Sequence, residues 1–497
     1  MKRVLSILLA LTLLMGVVAL AACGNTGSQQ TDPTFTGGSG TEATTTAGAL
    51  DPGDPDAGKT HRKGFENVNF GGKTFKFAGA TDHTDGWADY EVYAEEGSEG
   101  ILDASIIERN DILFELYECF IEIEPTSAGT LDNDFATNQN RIDLLNGKYN
   151  IGSKYSQYYN FYDLDIDLTQ PWWDQGLIED LTVDGQLYAI TGAFSLTSFD
   201  ATWVMFFNKT VLENNEKLVG VDPYELVNNN EWTLDKFYEI IKKAGNEDGD
   251  QVMTEGTGDI FGLVSSTFGI RGLYFGAGQG YATKTDSNGT SEFSHAFTDA
   301  AVTATNKVID IYSHEYTKIL SYTVVQSQMR GGLTLFAPEV LRMASYYAGK
   351  QGDSTDPVDI GIVPHPKLNS DQANYKHNVD NHIIYTCVPK TCTDIERIAQ
   401  FLEVYAYHSY FTVYNDYLNL YKYTYTTDTE AANMVDIILK SRSFDLGYQF
   451  GFAGVDTAYI SGVQEGSNVI AELRGELGDA IVTAANEYKA TLAAANK

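Results

Sequence analysis

The chain has 497 residues, with 33 Lys+Arg against 68 Asp+Glu, a formal net charge of −35. Nucleic acid and anionic lipid surfaces need a basic face, so this balance excludes them as partners. It fits solubility outside a cell. One Cys falls in the N-terminal segment, and the three others, Cys119, Cys387 and Cys392, are too few for a disulfide framework or a four-cysteine zinc site. Cys387 and Cys392 can pair locally or stay as buried thiols.

Met1-Lys2-Arg3 is a short basic start, and Val4 to Leu20 is uncharged and almost wholly apolar. Leu20-Ala21-Ala22-Cys23 then matches a lipobox, in which small residues precede a Cys that takes up lipid. Residues 1–22 are therefore expected to be a lipoprotein signal peptide and Cys23 the lipidated residue. No later stretch reaches the roughly 18 apolar residues of a membrane span. Residues 23–64 are rich in Gly, Thr, Ser and Pro and read as a flexible linker. About 430 residues remain, enough for two or three domains with cores of their own.

The folded part opens with Gly71-Gly72 and the alternating run Lys73 to Gly79, read as a strand. Apolar residues at helical spacing follow from Ile101 to Tyr117, then a second strand from Phe120 to Glu124. Strand, loop, helix and strand open a βαβ unit. Ligands sit at the carboxyl ends of strands in open α/β sheets, which makes the loop with Asp82, His83 and Asp85 a candidate cleft edge. Residues 138–162 hold five Tyr among Asn and Gln, residues able to stack on sugars. Pro171-Trp172-Trp173-Asp174 places two Trp side by side, and Trp203 to Phe207 is an apolar strand ending at Asn208-Lys209. Thr233 is a plausible cap for a helix through Ile241, with Trp232 packing before it.

Glu247 to Asp259 is acidic and Gly-rich but lacks the spacing of a calcium loop, so no metal is assigned to it. Gly276, Gly278 and Gly280 miss a phosphate-loop pattern and read as a tight turn. Further along, Thr298–Glu315 reads as an amphipathic helix, Asp359–Pro366 and His382–Val388 as apolar strands, and Thr393–Tyr407 and the Ala-rich end as helices. There is no G-x-S-x-G, no H-E-x-x-H and no Walker motif, and the eight His are scattered. Acidic pairs such as Asp163, Asp165 and Asp167 suit a glycosidase in principle, but carboxylates are abundant throughout.

Several of these pieces occur together and in order: the lipobox; P-W-W-D at 171–174; D-G-Q-L-Y at 184–188; F-N-K at 207–209; P-Y-E-L-V and W-T-L-D-K within 223–236; P-x-P-K at 364–367; and S-R-S-F-D-L-G at 441–447. Over most of residues 65–460 the chain resembles the extracellular solute-binding lipoproteins of bacterial ABC transporters, family 1, the carbohydrate-binding group that includes maltose-binding protein. It departs from them in a shorter region between Leu131 and Gln170 and a less regular loop at 247–259. The resemblance implies an α/β, two-lobed periplasmic-binding-protein-like fold (type II), its lobes joined by hinge crossings near 193–203, 322–330 and 383–388. It implies a first lobe of 65–195 with 330–383 and a second of 196–329 with 384–497.

The implied function is capture of a carbohydrate, an oligosaccharide, and delivery to the permease subunits of an ABC transporter by a monomer anchored through Cys23 on the outer face of the membrane. No enzyme activity and no cofactor are implied. The alternatives are a secreted carbohydrate hydrolase and a binder of peptides or other non-sugar solutes on the same fold. By position, the expected ligand contacts are Asp82, Trp172, Trp173, Asp200, Trp203, Phe268, Arg271, Glu339 and Tyr346.

Overall fold

Two sheets organise the folded chain. The computed structural model describes residues 57–80, 91–95, 97, 100–147, 154–256, 258–350, 356–426 and 428–495. The signal segment, Cys23, Asp82, His83 and Asp85 lie outside the described residues. Gly71 and Gly72, both at positive φ (61° and 79°), turn the chain into the strand Lys73–Ala80. The helix Ile101–Tyr117 returns it to the parallel strand Cys119–Thr126, in the βαβ order that the hydrophobic periodicity predicts. Leu144–Gly147 adds on the other side, and Tyr385–Cys387 closes the sheet antiparallel to it. Alternation in Lys73–Ala80 turns Phe75 and Phe77 onto the helix Ile395–Phe411, where Phe75 stacks on Phe401 at 3.8 Å between ring centroids.

The second sheet has the order Ile360–Val363, Trp203–Asn208, Thr334–Val340, Phe261–Ser265, Thr317–Ile319. Trp203–Asn208 runs antiparallel to both neighbours, and Phe261–Ser265 is parallel to both of its own. Every residue of Trp203–Asn208, Phe261–Ser265 and Thr334–Val340 is buried, which is why these strands read as continuous apolar runs.

This pairing corrects the expected lobe boundaries. The resemblance places residues 330–383 in the first lobe, yet Thr334–Val340 and Ile360–Val363 flank Trp203–Asn208 in the second sheet. A strand buried on both faces needs a partner on each edge, and these two supply it. The same resemblance places residues 384–497 in the second lobe, yet Tyr385–Cys387 pairs in the first sheet and the helix Ile395–Phe411 packs on it. The expected crossing at 322–330 is the helix Tyr322–Arg330, which links two strands of one sheet. The segments at and just before the other two expected crossings, 190–202 and 379–386, lie side by side. Ile190 exchanges both backbone hydrogen bonds with Thr386 (3.0 and 2.9 Å), Thr202 bridges Val379, and the Asp380 amide donates to the Ala201 carbonyl at 2.9 Å.

The expected linker is shorter than its composition implies. Ala57–Lys59 is a 3-10 turn pinned to the first lobe. His408 Nδ1 meets the Gly58 carbonyl at 2.8 Å, the Tyr407 hydroxyl donates to the Ala57 carbonyl at 2.7 Å, and Arg62 pairs with buried Glu403 at 3.2 Å. Composition carries no trace of these partners some 350 residues away. No helix among the described residues is long and apolar enough to cross a membrane. Cys119, Cys387 and Cys392 are buried free thiols, and burial pushes Cys119 and Cys392 up to about 12.

The Thr233 cap falls where the sequence places it. Thr233 Oγ1 accepts from the Lys236 amide at 3.3 Å, and the fully buried Trp232 packs edge-on against Phe237. Asp222 caps the short helix Pro223–Asn228, accepting from the Tyr224 and Glu225 amides at 2.8 and 3.3 Å, with Pro223 at the first helical position. Asp222→Ala is expected to lower the unfolding free energy by about 1 kcal/mol in urea titration. An unchanged midpoint at equal slope would show that the cap contributes nothing.

Candidate functional site

The parallel strands of the second sheet end at one cavity of about 820 Å³. Phe261–Ser265 leads into Phe268 and Arg271; Thr317–Ile319 leads into Tyr322; Thr334–Val340 leads into Arg342 and Tyr346. Trp203 starts the antiparallel strand and pairs with Val340, so it reaches the same end of the sheet. This is the carboxyl-end position at which open α/β sheets hold ligands. The facing wall comes from the crossing segment, through Asp380, Asn381 and His382, and from Tyr448 and Asp456 near the end of the chain.

The wall is aromatic, and its buried Arg271 is paired with carboxylates. Phe268 is 56 % exposed and Tyr322 40 % exposed, and both line this cavity with amphipathic or apolar ring surface. Arg271, nearly buried, lies between Phe268 and Tyr448, its guanidinium carbon 5.3 and 4.6 Å from their ring centroids. It pairs with Asp456 at 3.1 Å, lies 3.9 Å from Asp380, and donates to the Tyr448 hydroxyl. Asp456 also accepts from the Tyr281 hydroxyl at 3.0 Å. Burial pushes the Asp456 carboxyl above its ordinary value, opposed by the Arg271 guanidinium and the Tyr281 hydroxyl. Asp380 accepts from Trp203 Nε1 at 3.0 Å, the Tyr448 hydroxyl at 3.2 Å and His382 Nδ1 at 2.6 Å.

Of the nine residues expected at the ligand, four come together here: Trp203, Phe268, Arg271 and Tyr346. Asp82 lies outside the described residues. Trp172 and Trp173 are each 2 % exposed and pack in the core, Trp172 edge-on to Tyr407 and Trp173 edge-on to Phe194. The platform expected of them is a pair of core side chains, because the chain folds Thr191 to Ala193 back over them. Asp200 is buried and accepts from the Tyr417 and Tyr421 hydroxyls at 3.0 and 2.6 Å, a structural carboxylate beneath the crossing. Glu339 is fully buried behind the cavity wall, where Tyr347 donates to it at 2.7 Å. Burial alone pushes its carboxyl up to about 8, against the bond from Tyr347.

Asp380, His382, Tyr448, Asp456, Tyr322 and Arg342 are cavity residues that the sequence reading missed. The signal for the first two was the polar Asp380-Asn381-His382 set just before the apolar run from Ile383 to Val388.

Elsewhere, two tyrosines of the tyrosine-rich stretch serve packing. Tyr155 and Tyr158 are buried, and Tyr155 donates to the Tyr488 hydroxyl at 3.2 Å. In the acidic loop, Asp259 brackets the backbone by accepting from the Asp248 and Thr254 amides at 2.8 and 2.6 Å. Glu247, Asp248 and Asp250 gather at its exposed side with ligand atoms within 4.8 Å of one another. Glu247 and Asp250 there also accept from backbone amides of the same loop.

No family model and no curated protein matches the chain. Solved structures do. A cyclo/maltodextrin-binding protein complexed with maltotetraose is 13 % identical, with a TM-score of 0.52 over 84 % of this chain and 97 % of that one. The sugar-binding protein MalE from the phytopathogen Xanthomonas citri is 11 % identical, with a TM-score of 0.52 over 85 % of this chain and 98 % of that one. At such identities the likeness is one of fold: the chain has the two-lobed α/β architecture of these binding proteins, and its cavity lies in the second lobe against the crossing segments.

Proposed function

We propose that the protein captures a neutral carbohydrate in this cavity of the second lobe, with the first lobe closing over it, and passes it to the permease subunits of an ABC transporter. The observation that carries the reading is the cavity wall itself. Exposed rings of Phe268 and Tyr322 stand beside Trp203 and Tyr346, while Arg271 is already neutralised by Asp456 and Asp380. Flat apolar faces beside hydrogen-bonding groups, with the buried charges paired, suit sugar rings and their hydroxyls. Cys23 tethers the body to the outer face of the membrane, and the docked segment from Ala57 fixes where the tether leaves the first lobe. The two crossings, joined at Ile190–Thr386 and Thr202–Val379, act as the hinge on which the lobes close. The protein acts as a monomer and needs no cofactor.

Thermal-shift screening against neutral oligosaccharides, peptides and polyamines tests the reading. A cognate sugar at about a hundredfold over its Kd stabilises the fold by about 2.7 kcal/mol. Stabilisation by peptides alone overturns the sugar assignment. Release of reducing ends from the oligosaccharides, abolished by Asp456→Asn, overturns the binder in favour of a hydrolase.

A further inference from the structure

One carboxylate in the cavity wall has no acceptor capacity left. Asp380 Oδ2 accepts from Trp203 Nε1 at 3.0 Å and from the Tyr448 hydroxyl at 3.2 Å. Its Oδ1 accepts from the His382 amide at 3.0 Å and from His382 Nδ1 at 2.6 Å. A carboxylate offers about four lone-pair positions, so these donors fill it. Its amide is committed as well, to the Ala201 carbonyl of the neighbouring crossing. Asp380 therefore acts through its neighbours, as a positioning residue.

The neighbour it positions at the cavity is His382. A carboxylate oxygen only accepts, so the ring nitrogen facing it carries the hydrogen. In the neutral imidazole that leaves Nε2 with a lone pair and no hydrogen. The side chain of His382 is 51 % exposed and lines the cavity. With Nδ1 held by Asp380, Nε2 is the nitrogen left for whatever enters.

We propose that His382 is the specificity-determining residue of the cavity: Asp380 locks it as the Nδ1–H tautomer, and Nε2 accepts a hydrogen bond from a ligand hydroxyl. This rests on reading the cavity as a sugar site. A fixed acceptor selects a free hydroxyl at one ring position and rejects a deoxy or O-methyl sugar there, because the imidazole then loses water without gaining a donor. The lock also links ligand reading to lobe geometry, since Asp380 stands on one crossing and is held by Trp203 and Tyr448 of the second lobe.

The test uses the full chain labelled with 15N-histidine. Without ligand, the ring of His382, assigned through His382→Gln, is expected as the Nδ1–H tautomer with a bare Nε2. A ring that averages between tautomers, or one that carries hydrogen on both nitrogens, overturns the lock. The tightest binder among maltotetraose, cellotetraose and xylotetraose is then titrated. Nε2 is expected to shift on binding, and His382→Asn, which keeps a donor toward Asp380 but has nothing at Nε2, to weaken binding about tenfold. His382→Gln, whose amide reaches the Nε2 position, is expected to recover most of that loss. If the sugar binds wild type and His382→Asn alike, the role of His382 is overturned while the sugar site stands. If none of the three sugars shifts the melting temperature or the spectrum, the sugar reading fails and this assignment falls with it. Unchanged melting of ligand-free His382→Asn separates lost contact from lost fold.

Discussion

Trp172→Ala and Trp173→Ala are each expected to lower the unfolding free energy by about 3–5 kcal/mol, the cost of deleting a buried indole. Neither is expected to weaken binding in the protein that remains folded. Both rings are 2 % exposed, and neither lines the cavity. Trp172 packs edge-on to Tyr407 at 5.2 Å between centroids, with the Arg62 guanidinium 5.0 Å from its ring, so it holds the N-terminal strap as well as the helix Ile395–Phe411. Its carbonyl accepts from the Ala193 amide at 2.8 Å, and a Cβ at Gly192 would stand 2.3 Å from that oxygen. The backbone is thus closed tightly over the indoles and has little room to collapse into the space that truncation leaves. Urea titration gives the loss of stability, and calorimetric titration of a bound oligosaccharide gives the affinity. A loss below about 1 kcal/mol would contradict core packing of this kind. A tenfold loss of affinity in either folded variant would return the pair to the ligand.

The same tryptophans show what the sequence tells and what it withholds. Periodicity and composition place the elements well: Lys73–Ala80, Ile101–Tyr117 and the Thr233-capped helix Leu234–Ala244 stand where the pattern puts them. They say little about partners. The runs at 203–208, 334–340 and 360–363 announce that they are buried, but an apolar strand does not name the strand beside it, and here the order interleaves three distant segments. The candidate site divides along the same line. Trp203, Phe268, Arg271 and Tyr346 are legible because each sits next to a strand end, where the topology of an open sheet puts ligands. Asp380, His382, Tyr448 and Asp456 arrive from a crossing and from the last quarter of the chain, and only the fold brings them to Arg271. Asp200 and Glu339 mislead for the opposite reason. They stand close to strand ends as ligand carboxylates do, but tyrosines of the helices Val413–Tyr423 and Met343–Tyr347 bond one oxygen of each inside the core.

Glu339→Gln is expected to remove the fall in stability that Glu339 is expected to impose on the wild-type protein between about pH 5 and pH 9. Glu339 is fully buried on Thr334–Val340, opposite Val204, with Oε2 bonded by Tyr347 and Oε1 without a hydrogen-bond partner. Tyr322, at the start of Tyr322–Arg330, also faces it. Desolvation raises its carboxyl from 4.5 to about 8, with the bond from Tyr347 acting the other way. The folded chain therefore keeps a proton that the unfolded chain releases near pH 4.5. Below that pH both states hold it, and the group has no effect on the slope. As pH rises toward 8 the unfolded state gains increasingly from ionising, so stability falls and stays low beyond. At about 1.4 kcal/mol per tenfold difference in proton affinity, the loss is on the order of 4 kcal/mol at pH 9. Glutamine has the shape of the protonated acid and cannot ionise, so the variant is spared this loss. It leaves one amide hydrogen unbonded, and at pH 5 it is expected to be less stable than wild type by about 1 kcal/mol. The two curves should therefore cross between these limits, with the variant the more stable at pH 9. Parallel urea-derived curves from pH 5 to 9 would show that Glu339 is ionised in the native core and has found a partner there.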